Sequence, residues 1–155
     1  MKILAVNLFI IVLLFTFGCQ VDVNLQVEKE SVKAILDSYV NSIENEDIKL
    51  YEQNIWKDST MVNFGGFGNP IVGWEALKEV IEDQNDALSK TKISVSNLVI
   101  NISESGKFAW ATCLWNLKAI MNDEPTELPI RCTWILKKQE NNWFIVHFHK
   151  SMSAG

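Results

Sequence analysis

Residues 142–151 read NWFIVHFHKS, and how this stretch folds decides the rest of the chain. Its apolar and β-branched content makes it a strand. Alternation places Trp143, Ile145, His147, His149 and Ser151 on one face and Phe144, Val146 and Phe148 on the other. Both faces therefore carry large apolar groups, and both need cover. His147 and His149 are the only two histidines of the chain, and this reading puts them side by side.

The stretches upstream share the same period of two. The turn QENN leads into the last strand, and LPIRCTWILKK before it forms a hairpin with KFAWATCLWNLKAI around MNDEPTE. In KISVSNLVINI the apolar positions switch from odd (93, 95) to even (98, 100, 102), which predicts a bulge near Ser96-Asn97. Further upstream the period becomes helical. Val32, Ile35, Leu36, Tyr39, Val40 and Ile43 form one apolar stripe. NED at 45–47 breaks it and caps a second helix carrying Ile48, Tyr51 and Ile55. A short strand STMVNF and a turn-rich GGFGNPIVG precede a third helix, with Trp74, Leu77, Ile81 and Leu88 inward. Helices first and long antiparallel strands after them define an α+β domain. Its architecture is about three N-terminal helices packed on one curved, mainly antiparallel sheet. The helices cover one face of that sheet, and a second copy of the chain is the simplest cover for the other, making a homodimer. Trp134 and Phe148 are taken as outward positions where a charge would break it.

The chain has 155 residues, is 48% hydrophobic and carries a net charge of -5. Without the single Lys of residues 1–18 the charge is -6. An acidic domain with no basic stripe excludes nucleic acid as a partner. Residues 1–18 read as a signal peptide: one Lys, then an apolar run from Ile3 to Phe17 shorter than a membrane span. Residues 19–27 follow as a tether, and residues 28–152 as the domain. Export would permit a disulfide between Cys113 and Cys132, but their positions inside strands favour buried free thiols.

Two resemblances add to this reading. TFGC at 16–19 resembles the bacterial lipoprotein signal, which implies that Cys19 is lipidated and that the protein is held at a membrane in the periplasm or on the cell surface. WFIVHFHKS resembles the last strand of the calcium/calmodulin-dependent protein kinase II association domain. Arg131-Cys132-Thr133, Trp143 and His149-x-Ser151 resemble the SnoaL-like branch of the same nuclear-transport-factor-2-like superfamily. MVNFGGFGNPIVGWEAL matches that superfamily's strand, loop and third helix, with Gly73 opening the helix. The resemblance covers residues 28–152 and implies a helix-lined cone on a strongly curved sheet, with a pocket against the concave face and a dimer through the convex face.

The expected site follows from the shared strand faces. Arg131, Thr133, His147, His149 and Ser151 converge on the cone interior, with Trp56, Phe64 and Trp74 as aromatic lining. Such a set suits a small ligand bearing an anion or a carbonyl, anchored by Arg131. His147 and His149 are the candidate acid/base groups if the site is an isomerase, dehydratase or cyclase. The steroid isomerases of the superfamily keep a carboxylate where this chain has Asn63, with Asp58 nearby but before the strand, and that departure favours binding over catalysis. His-x-His lacks companion ligands for a metal, and no cofactor is expected.

Overall fold

The computed structural model describes residues 23–152. The signal at 1–18 and Cys19 lie outside the described residues. Helix α1 (Leu25–Glu44) starts inside the expected tether, because the Asn24 side chain accepts the Val27 N–H at 3.3 Å and caps it. Val32, Leu36, Tyr39 and Ile43 form its buried stripe. Glu46, at φ 56°, turns the chain, and Asp47 caps α2 (Ile48–Asn54) through the Leu50 N–H at 3.0 Å. The strand expected over STMVNF shortens to β1 (Val62–Asn63), paired antiparallel with β2 (Ile71–Val72). Gly73 then opens α3 (Trp74–Ala87) at φ +82°, where a Cβ would stand 3.1 Å from the Ser59 carbonyl oxygen. Trp74, Leu77 and Ile81 face inward as expected, but Leu88 already belongs to the next strand.

The sheet is β3 (Leu88–Ile102), β4 (Phe108–Met121), β5 (Glu124–Gln139) and β6 (Asn142–Ser151), antiparallel in that order. The β4–β5 turn is tighter than expected: only Asn122 and Asp123 lie outside the ladder, at φ 52° and 64°. The predicted bulge in β3 is present. Pairing slips between Ser96 and Val99, with Asn97 at φ 54°.

Two further bulges were not foreseen: one in β3, where pairing slips between Ser89 and Lys92 with Lys90 at φ 54°, and one in β6. Ile135 pairs with His147, but Leu136 pairs with Ile145, so Val146 is the extra residue of β6. One inserted residue exchanges the two faces beyond it. Trp143, Ile145, Phe148 and Lys150 therefore share the inner face, and Phe144, His147, His149 and Ser151 the outer one.

The helices lie on the inner face, where Tyr39, Tyr51, Trp115, Trp134 and Phe148 are all buried. Tyr39 is the hub, with ring centroids 5.0–6.3 Å from those of Tyr51, Trp115, Trp134 and Phe148. Glu28 ties α1 to the far strands: its carboxylate accepts the Trp143 Nε1–H at 2.8 Å and pairs with Lys138. Cys113 and Cys132 are directly opposite across β4–β5, buried and free. The outer face has no covering element among the described residues. Val99, Phe108, Trp110, Leu114 and Ile135 are exposed on it. Trp134 and Phe148, expected outward, are core residues at 1% and 2% exposure.

Candidate functional site

Cross-strand rows build the interior of the cone. Ala111, Trp134 and Phe148 form one row across β4, β5 and β6; Cys113, Cys132 and Lys150 form the next; Trp115 and Ile130 follow. The two small thiols sit beside one long side chain. Lys150 extends over the aromatic hub, its Nζ 5.1 Å from the Tyr39 ring centroid, 4.8 Å from that of Trp115 and 5.0 Å from that of Phe148. It lines a cavity of about 230 Å³ shared by Ile43, Phe67, Gln84, Trp115 and Leu128, among others. Of the residues lining this cavity, Lys150 alone is charged.

The ammonium has no carboxylate partner among the described residues. Ion pairs among the described residues engage Lys33, Lys57, Lys78, Lys92, Lys118 and Lys138, never Lys150. Burial pushes its pKa down to about 8, against a smaller upward pull from Cys132 and Cys113. Three cation–π contacts, each worth ~0.5–2 kcal/mol, offset part of the cost of leaving a partly buried ammonium unpaired. The Cys132 thiol is pushed up by its contact with Cys113 and by burial, so it stays protonated.

The residues expected to form the site are brought together on the other side of the sheet. Arg131 pairs with Ser151, Thr133 with His149 and Ile135 with His147, so the shared face is real. It is the outer face, because of the Val146 bulge, and these side chains do not line the cavity. Arg131 is exposed, and its Nη2 donates to the Met152 carbonyl at 3.0 Å. His147 holds its Nδ1 2.6 Å from the Val62 carbonyl, and donates a proton to it, since a carbonyl only accepts. Phe64 packs against both imidazoles, at 5.9 and 5.4 Å. Trp56 lies against Phe144 at 5.7 Å, with Lys137 over its ring. Trp74 is buried and borders a separate surface hollow with Asp58. Asp58 accepts from the Thr60 hydroxyl and N–H, which hold its carboxyl below the usual range.

Asn63 is fully buried. Its Oδ1 accepts the Phe148 N–H at 2.9 Å, and its Nδ2 has no partner. No three His, Cys, Asp or Glu side chains among the described residues come together as a metal site would require. Lys150 was the residue the sequence reading missed. Its signal was present in Phe148: pairing that ring with Trp134 on the core face puts Lys150, two residues on, inward as well.

Helices over a curved antiparallel sheet with a pocket between them define the cone-shaped, nuclear-transport-factor-2-like fold. The SnoaL-like domain model matches residues 32–155, and the chain belongs to that family. Solved structures agree at the level of the fold. A nuclear-transport-factor-2-like superfamily protein from Salmonella enterica serovar Typhimurium superposes with a TM-score of 0.76 at 21% identity, covering 84% of this chain and 94% of that one. A protein of the same fold family from Streptomyces avermitilis, provisionally named a dehydratase, gives 0.75 at 10% identity over 84% and 99%. One from Xanthomonas campestris, provisionally named a calcium/calmodulin-dependent protein kinase II association domain, gives 0.69 at 14% identity over 79% and 86%. No curated protein is matched by the sequence.

Proposed function

We propose that this chain is a small-molecule binding domain, exported and lipid-anchored, whose cone accepts a compact and mostly apolar ligand with one anionic or carbonyl-bearing end. The observation that carries this reading is Lys150: a cation without a carboxylate partner among the described residues, amid three aromatic rings, at the edge of an apolar cavity. A ligand anion placed there supplies the missing countercharge, and the rings and aliphatic wall take its body. The recognition charge is thus Lys150 rather than Arg131.

Binding is favoured over catalysis by what the wall lacks. Among the described residues no carboxylate and no imidazole lines the cavity, so the acid/base pair of an isomerase or dehydratase has no members there. One observation favours the enzymatic alternative: with a pKa of about 8, Lys150 would serve as a general base near neutral pH.

Thermal shift against benzoate, phenylacetate and hexanoate tests the reading. Saturating carboxylate is expected to raise Tm of the wild type by a few degrees, as ligation of the native state requires. Lys150→Met is expected to bind none of them, and to melt higher than the ligand-free wild type because an unpaired, partly buried charge is gone. Wild-type Tm unmoved by every carboxylate, or moved equally in Lys150→Met, would rule the reading out.

A further inference from the structure

The cavity holds an amine in a setting that does more than attract anions. Three conditions govern condensation of a lysine with a carbonyl: an amine with a neutral population, room for the carbonyl beside it, and exclusion of the water that reverses the reaction. Lys150 meets the first because no carboxylate among the described residues holds its proton in place. The side chains facing it are the phenol of Tyr39 on α1, the thiols of Cys113 on β4 and Cys132 on β5, and the rings of Trp115 and Phe148. Tyr39 is bound to the Tyr51 hydroxyl at 3.3 Å and is pushed well above its ordinary pKa by burial, so it stays neutral. The cavity, about 230 Å³, supplies the room, and its apolar wall of Ile43, Leu117, Leu128 and Ile130 offers the water that reverses the reaction no hydrogen-bond partner.

We infer that Lys150 is a covalent site that captures small apolar aldehydes or ketones as imines. The inference rests on the binding reading above and narrows its ligand class to carbonyl compounds. The lone pair of Lys150 Nζ attacks the carbonyl carbon, and the C–N bond forms as the C=O π bond breaks. A proton passes from nitrogen to oxygen to give the carbinolamine. The C–O bond then breaks, the hydroxyl takes up the second amine proton and leaves as water, and nitrogen and carbon share the new double bond. Amine and carbonyl are consumed, imine and water are formed, and no oxidant or reductant takes part. Burial lowers the Lys150 pKa to about 8 from an ordinary 10.5, so its neutral fraction at a given pH near neutrality exceeds that of a lysine at the ordinary value.

Reductive trapping tests this. The full chain is incubated near neutral pH with benzaldehyde and cyanoborohydride, and its adducts are mapped by intact mass and peptide mass spectrometry. The expected result is one early adduct, heavier by the aldehyde less one oxygen, on Lys150. It should form about tenfold or more ahead of labelling at exposed lysines such as Lys29 and Lys107. Lys150→Arg, which keeps a cation for carboxylates but cannot form an imine, is expected to lose that early adduct. Wild-type peptides labelled only at exposed lysines would overturn the inference, and this comparison needs no variant to fold. Carboxylates that bind a protein unlabelled at Lys150 would overturn the covalent step and leave the binding reading standing. If neither benzaldehyde nor any carboxylate engages Lys150, both fall.

Discussion

Lys150 and Glu28 show opposite treatments of charge in one small domain. Lys150 lacks a carboxylate and is pushed toward neutrality, whereas Glu28 is saturated. Burial raises the Glu28 pKa, but the hydrogen bonds from Lys138 and Trp143 and the Lys138 charge together outweigh it and hold the carboxyl below its ordinary 4.5. A carboxyl with a lowered folded-state pKa stabilises the fold above its unfolded value, and that contribution is lost as pH falls through the folded value. Glu28→Gln is therefore expected to cost about 1–2 kcal/mol at neutral pH. The gap to the wild type should close as pH drops below about 4.5. Parallel thermal melts across that range measure it; a gap constant down to strongly acid pH would show that the Glu28 charge plays no part in docking α1 onto β5 and β6.

At the scale of elements, what could be read from the sequence depended on contrast between faces. The bulge at Ser96-Asn97 was legible because β3 has apolar positions on one parity before it and the other parity after, with polar residues between them. The bulge at Val146 was not, because Trp143, Phe144, Ile145, Val146 and Phe148 are apolar on both parities and an inserted residue leaves no mark. That one residue reversed the reading of the site: His147, His149 and Ser151 went outward, Phe148 and Lys150 inward, while the pairing of Arg131 and Thr133 with Ser151 and His149 held. The three helical stripes were legible from their spacing. The early start of α1 was not, since Leu25 and Val27 are exposed and carry no inward period. The two-residue turn at Asn122-Asp123 was obscured by the Pro and acidic residues that follow it, which sit in an outer hairpin where ladder positions need not be apolar.

For the whole molecule, the two faces of the sheet divide the work. The inner face with its helices makes the cone, and the outer face exposes Val99, Phe108, Trp110, Leu114 and Ile135 next to Arg131 and His149. An uncovered aromatic sheet face suits a second copy of the chain, and under this proposal Arg131, His147 and His149 belong to the contact between copies. Extracted from membranes in detergent, the chain is expected to carry an acyl group on Cys19 and to run as a dimer, and Trp110→Glu to give a folded monomer. An unacylated chain would refute the anchor, and a wild-type monomer at micromolar concentration would refute the dimer. The central claim, that recognition takes place inside the cone at Lys150, is tested most directly by a crystal structure of the protein with the carboxylate that shifts its Tm furthest. Carboxylate density is expected within ion-pair distance of Lys150 Nζ, with the apolar body of the ligand against Trp115 and Phe67. Density on the outer face between Arg131 and His149, with the cone empty, would contradict it.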